Sequence, residues 1–132
     1  MLPSTPPPWR ILVARTQRPL ATHAWAACNW RSRMVGLLGR TSVPTGEALI
    51  FPQCRSIHTW GMRCAIDAVF VDRNWRVVAL KQDLRPWRLV WPVWDAWGVI
   101  ELSAGSLAQA DLQRGDQLQL LSQQEVKIEH SG

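Results

Sequence analysis

The 132-residue sequence predicts an α+β, β-rich fold: a small, mostly antiparallel barrel or strongly bent sheet with one helix packed at an end. Three observations predict it. Short apolar, β-branched runs recur between proline, glycine, asparagine and aspartate residues, giving about seven strands. A single stretch, 29–40, carries apolar residues at convincing helical spacing. Strands and helices do not alternate as βαβ units do, which argues against a parallel doubly wound sheet, and closing a bent sheet hides its edges. A chain of this length buries one core without staples. A single domain over 9–122 is therefore expected, between a disordered proline-rich tail over 1–8 and a polar tail over 123–132.

Met1–Pro8 holds four of the nine prolines and little to bury, so the fold begins near Trp9. Arg10–Arg15 (RILVAR) is a first strand, and LATHAWAA from Leu20 is a weaker second one that completes a hairpin. Asn29 caps a helix in NWRSRMVGLLGR, where Trp30, Met34, Leu37 and Leu38 form one stripe and Gly39 supplies the stop. Arg31, Arg33 and Arg40 lie off that stripe, toward solvent or a shared anion site. After the turn-rich TSVPTGE, Ala48–Phe51 is a strand ended by Pro52. Ala68–Val71 is apolar on both faces and therefore central. Asp72–Trp75 is a turn in which Asn74 can take a positive φ, and Arg76–Leu80 returns as the hairpin partner. Gly98–Leu102 is a further strand, Ser106–Ala110 a short helical turn, and Arg114–Leu121 closes the fold with a Gly-Asp turn and an alternating strand.

The segment LRPWRLVWPVWDAW spaces Trp87, Trp91, Trp94 and Trp97 like a helical stripe, but Pro92 falls inside it. A proline there removes a backbone hydrogen bond and clashes with the preceding turn, at about 3 kcal/mol, so the segment is an extended loop. The favoured expectation has its rings fold back over an open barrel end. Otherwise Trp87, Arg88, Trp91 and Trp94 form a partner loop that stacks nucleobases or dips into a membrane interface.

Charge and cysteine usage narrow the classes. The net charge of +5 comes from 13 arginines against two lysines, which suits an anionic partner, although biased base composition produces the same usage. Cys28, Cys54 and Cys64 make an odd set with no C-x-x-C, so reduced thiols are expected rather than a disulfide framework or a zinc site. No apolar run approaches the roughly 18 residues that span a bilayer. The start has neither a basic region nor an unbroken apolar one, so no secretory signal and a cytoplasmic location are expected.

HTWGMRCAIDAVFVD, His58–Asp72, gathers polar chemistry ahead of the central strand. His58, Met62 and Cys64 offer a soft ligand set, but their spacing matches no established site, and no metal or cofactor is expected. His58 with Asp67 as its orienting carboxylate, or Cys64 as nucleophile, would suit a small hydrolase-like enzyme; no Gly-x-Ser-x-Gly elbow or phosphate loop accompanies them, and no catalytic residue is assigned. The simplest account makes these residues a hydrogen-bonded rim. Gly61 permits a tight backbone, Met62 fills the core, and Asp67 accepts from Arg63 or from loop N–H groups. Glu101, late in an apolar strand, needs a partner such as Arg63, Arg40 or Arg33. His58, Arg63, Asp67, Glu101 and Arg40 together would then form a rim that binds a small polar or anionic ligand.

RMVGLLGR, HTWGMRCAIDAVFVDRNWRVV and VIELSAGSLAQADLQRGDQL, in that order, resemble the bacterial and archaeal family called domain of unknown function 192, in the subgroup with a His-Thr-aromatic-Gly-Met-Arg motif. The resemblance spans Arg10–Leu121 and implies a compact β-rich fold with no established activity. Cys64 and Ala65 stand where that family usually has an aromatic and a proline. The function expected is a non-catalytic accessory or binding module acting through the polar rim or the Trp and Arg loop on a protein or a small polar or anionic ligand. The hydrolase-like enzyme and a basic nucleic-acid binder are the alternatives.

Overall fold

The computed structural model describes residues 2–26, 43–58 and 64–123. Among the described residues, nine strands and one short helix follow in order: β1 (Trp9–Val13), β2 (Pro19–Ala26), β3 (Glu47–Pro52), β4 (Ile57–His58), β5 (Ile66–Val71), β6 (Val77–Leu84), β7 (Leu89–Val90), β8 (Gly98–Ser103), α1 (Ser106–Gln109) and β9 (Leu118–Ser122). The helix expected over 29–40 lies outside the described residues.

Seven strands form one sheet in the order β6-β5-β8-β3-β2-β1-β9, antiparallel throughout except for the parallel pair β2 and β3. Strand twist curls this sheet until its two edges touch. Arg76 bridges Gln117, and the Val77 and Leu118 amides donate to the carbonyls of Asp116 and Trp75 at 2.8 and 3.0 Å. Both edge strands are thereby partly closed, the bent, barrel-like arrangement expected of the sequence.

Alternation along the strands divides the core in two. Ile11, Val13, Val69, Val71, Val77, Ile100, Leu102 and Leu118 fill the inside of the curl with Leu107 of α1. Phe51, Ile66, Ala68, Phe70 and Val99 point to the other face, where Val90, Val93 and Ala96 pack against them. Segment 85–97 is thus a strap across the outer face. Its short strand β7 pairs with β4, Ile57 opposite Val90 and His58 opposite Leu89. Neither strand was expected, because two residues are too few to show a periodicity.

The β5–β6 hairpin forms as expected, but the left-handed residue of its turn is Trp75, φ 64°, rather than Asn74. The Asp72 carboxylate accepts the Asn74 and Arg76 amides at 2.8 and 3.0 Å, fixing an Asx turn that delivers Trp75 inward. Its indole is buried edge-on to Trp97, ring centres 5.6 Å apart. Burying a large ring offsets a backbone cost of about 1–2 kcal/mol.

Candidate functional site

Asp67 sits one residue into β5, and its side chain points into the curl with Val69 and Val71. Opposite it, β6 carries one extra residue: Ile66 faces Leu84 while Ala68 faces Lys81, and Asp83 takes φ 53°. Such a bulge leaves a backbone amide without a ladder partner. Asp67 supplies one. Its Oδ1 accepts the Asp83 amide at 2.8 Å, and its Oδ2 accepts the Gly105 and Leu107 amides, each at 3.1 Å. With 1% of its surface exposed, this carboxylate ties the β6 bulge to the start of α1.

Glu101 lies in β8 opposite Leu49 of β3 and Ala68 of β5, whose side chains share its face. It is 4% exposed, and among the described residues no donor reaches its carboxyl. Burial among hydrocarbon pushes its pKa up to about 8, so at neutral pH it is largely protonated.

The structure does not bring Asp67 and Glu101 together. Ala68, not Asp67, is the β5 residue opposite Glu101, so the two carboxyl groups project to opposite faces of the sheet. A single rim holding both is therefore not what this geometry makes; one register step separates the two faces. Arg40 and Arg63 lie outside the described residues, and His58 is placed by its backbone alone, beside Leu89. Cys54 and Cys64 are both free thiols, Cys54 donating to the Ser56 carbonyl at 3.0 Å, and Cys28 lies outside the described residues.

The Trp segment is where expectation and structure part. Rings folded over an open end were expected; instead Trp87, Trp91 and Trp94 are 67%, 83% and 73% exposed. Valine and alanine do the covering. In β7 alternate side chains go to opposite sides, so with Val90 sealing the outer core Leu89 and Trp91 face solvent; beyond β7 Val93 and Ala96 turn inward, and Trp94 stands exposed in the turn between them. Leu89, 62% exposed, joins them. It was missing from the expected partner loop, though alternation about Val90 would have found it. The strap is held in its middle by the β4–β7 pairing and at its C-terminal part by three bonds: the Val93 amide donates to the Arg55 carbonyl at 2.7 Å, Arg55 Nε to the Ala96 carbonyl at 3.2 Å, and the Trp97 amide to the Val71 carbonyl at 2.7 Å. Arg85 and Arg88 lie exposed along it.

A second concavity, which the sequence did not flag, is an open cleft of about 300 Å3 between the start of β2 and α1, with Arg18, Thr22, Ser106 and Gln109 among its lining. Among the described residues, no three His, Cys, Asp or Glu side chains cluster as a metal site, and no helix is long and apolar enough to cross a membrane.

Comparison with known proteins agrees with this architecture. A candidate transcription regulator from Sinorhizobium meliloti 1021 is similar in structure, with a TM-score of 0.70 at 18% identity over 85% of this chain and 91% of its own. A protein of unknown function from Novosphingobium aromaticivorans DSM 12444 gives a TM-score of 0.70 at 20% identity, over 83% of each chain. At these identities the likeness is one of fold. No curated protein matches the chain. The model of the family DUF192, described as "Uncharacterized ACR", matches residues 11–120, and the chain therefore belongs to the domain of unknown function 192 family.

Proposed function

We propose that this protein is a non-catalytic binding module that works in the cytoplasm and meets its partner through the outward face of the 85–97 strap. One observation carries this reading: four large apolar side chains within eight residues, Trp87, Leu89, Trp91 and Trp94, are each more than 60% exposed on a segment tied to the fold at 89–90 and 93–97. Leaving such a cluster in water is unfavourable, and contiguous exposed apolar surface marks interaction sites. Tryptophan beside arginine is also the composition of interface anchors.

The test compares native-lysate capture by the full chain and by a Trp87→Ser, Trp91→Ser, Trp94→Ser variant. The variant keeps its melting temperature and loses the captured material if the strap is the recognition face. Equal recovery by both overturns the reading.

Glu101 favours a second reading, in which its neutral carboxyl, buried on the outer face, receives a small polar or anionic ligand. A protonated carboxyl kept among hydrocarbon can donate as well as accept. Glu101→Gln would then abolish any ligand-induced thermal shift, whereas an unchanged shift removes Glu101 from the site. Hydrolase-like chemistry through His58 and Asp67 draws less support, because three backbone amides already occupy the Asp67 carboxylate.

A further inference from the structure

We infer that the partner of the strap is single-stranded nucleic acid, its bases stacking on Trp87, Trp91 and Trp94 and its phosphates meeting the arginines alongside. This rests on the binding reading above and names the partner's chemistry.

The exposed side chains follow one line of chain. Leu89 lies in β7 with Trp91 just after it, while Trp87 and Trp94 stand exposed in the turns before and after, so the four follow one another along the strap. Three indoles displayed one after another on a segment tied to the fold offer ring faces to successive bases of a single strand. Stacking on it is tolerant of sequence, because every base has a π-face.

The charge around the row has the right sign. Arg85 and Arg88 flank Trp87, and Arg55 is fixed at the far end by its bond to the Ala96 carbonyl. Asp95 is the one acidic residue between 85 and 97. The chain as a whole carries +5, nearly all of it arginine, the cation whose planar fork fits phosphate and stacks on rings. An anionic bilayer would satisfy the same charges, and indoles also settle at lipid interfaces; three stacking rings with one aliphatic neighbour, Leu89, suit bases, and the vesicle arm of the experiment separates the two.

The experiment uses the full chain and fluorescein-labelled oligo(dT) and oligo(U) of about 12 nucleotides, within the site sizes of stacking grooves. Fluorescence anisotropy is read at about 50 and 200 mM salt. Saturable binding is expected at the lower salt, weakened roughly tenfold or more at the higher. Trp91→Ala with Trp94→Ala should lose about tenfold or more in affinity at unchanged melting temperature, while Trp91→Phe, which keeps a stacking ring, should retain most of it. Arg85→Gln with Arg88→Gln should lower the salt slope by about 1.

Binding that ignores the tryptophan substitutions is charge attraction alone and overturns the inference. So does duplex bound as tightly as single strand. Binding to vesicles of phosphatidylserine and phosphatidylcholine without binding to either oligonucleotide overturns it in favour of a lipid surface. If the oligonucleotides fail while lysate capture still depends on the tryptophans, the strap stands as a recognition face and only the nucleic-acid assignment falls.

Discussion

Two carboxyl groups one register step apart are put to opposite uses. Asp67 ties backbone to backbone: its carboxylate accepts from three amides, one in the β6 bulge and two at the start of α1. Removing it strands those donors, so Asp67→Ala should cost about 3 kcal/mol or more in urea unfolding, and a loss below about 1 kcal/mol would show that water replaces it. Glu101 is held neutral by burial, its pKa raised from 4.5 to about 8. The unfolded chain releases this proton near its ordinary pKa while the folded chain keeps it, so the folded state binds more protons across that window. Stability should therefore fall as pH rises from about 4.5 to 8, and Glu101→Gln should flatten that part of the curve and raise the urea midpoint at pH 8.5. An unchanged profile would show the carboxyl to be ionised in the fold. Asp116 acts in the opposite sense: the Arg15 guanidinium, donating from Nε at 2.9 Å, holds its carboxyl below the usual range, so its contribution is lost only in acid.

At the scale of elements, the strap separates sealing from display. Val90, Val93 and Ala96 pack on Phe70, Phe51 and Val99, while their neighbours face water. Val90→Ala should destabilise the fold by about 2 kcal/mol, and Trp91→Ser should change stability by less than about 0.5 kcal/mol, both read from chemical denaturation. A large loss at Trp91 would mean that its ring is a packing element. The β5–β6 hairpin was legible because alternating β-branched residues flank a run of turn formers, all local signals. The two-residue strands β4 and β7 were not, since they exist only because the strap is pulled onto the outer face of the sheet.

Across the whole molecule, strands distant in sequence hold the sheet together. β1 pairs with β9, and β5 with β8, so the two ends of the chain and its middle are joined by long-range ladders. All six residues of β5 are buried, as are five of the six in β8. Hydrogen exchange should be slowest at the amides of Ile66–Val71 and Gly98–Leu102, and much faster in β6 beyond Leu80, where an edge strand carries a bulge and exposed polar residues. Uniform protection across β6 would indicate that a further segment covers that edge.

The sequence by itself determined the β-rich class, the central apolar strand with its hairpin partner, the non-helical character of the tryptophan segment and, through three ordered motifs, the family. Period-two alternation, proline and turn residues act over a few positions, so they can be read without the fold. Only the tertiary structure decided which side of each alternation meets the core. It turned the tryptophans outward, sent Asp67 and Glu101 to opposite faces, laid β2 parallel to β3 and curled the sheet until its edges met. Those outcomes depend on which segment covers which surface, a competition among side chains far apart in the chain that no local pattern records.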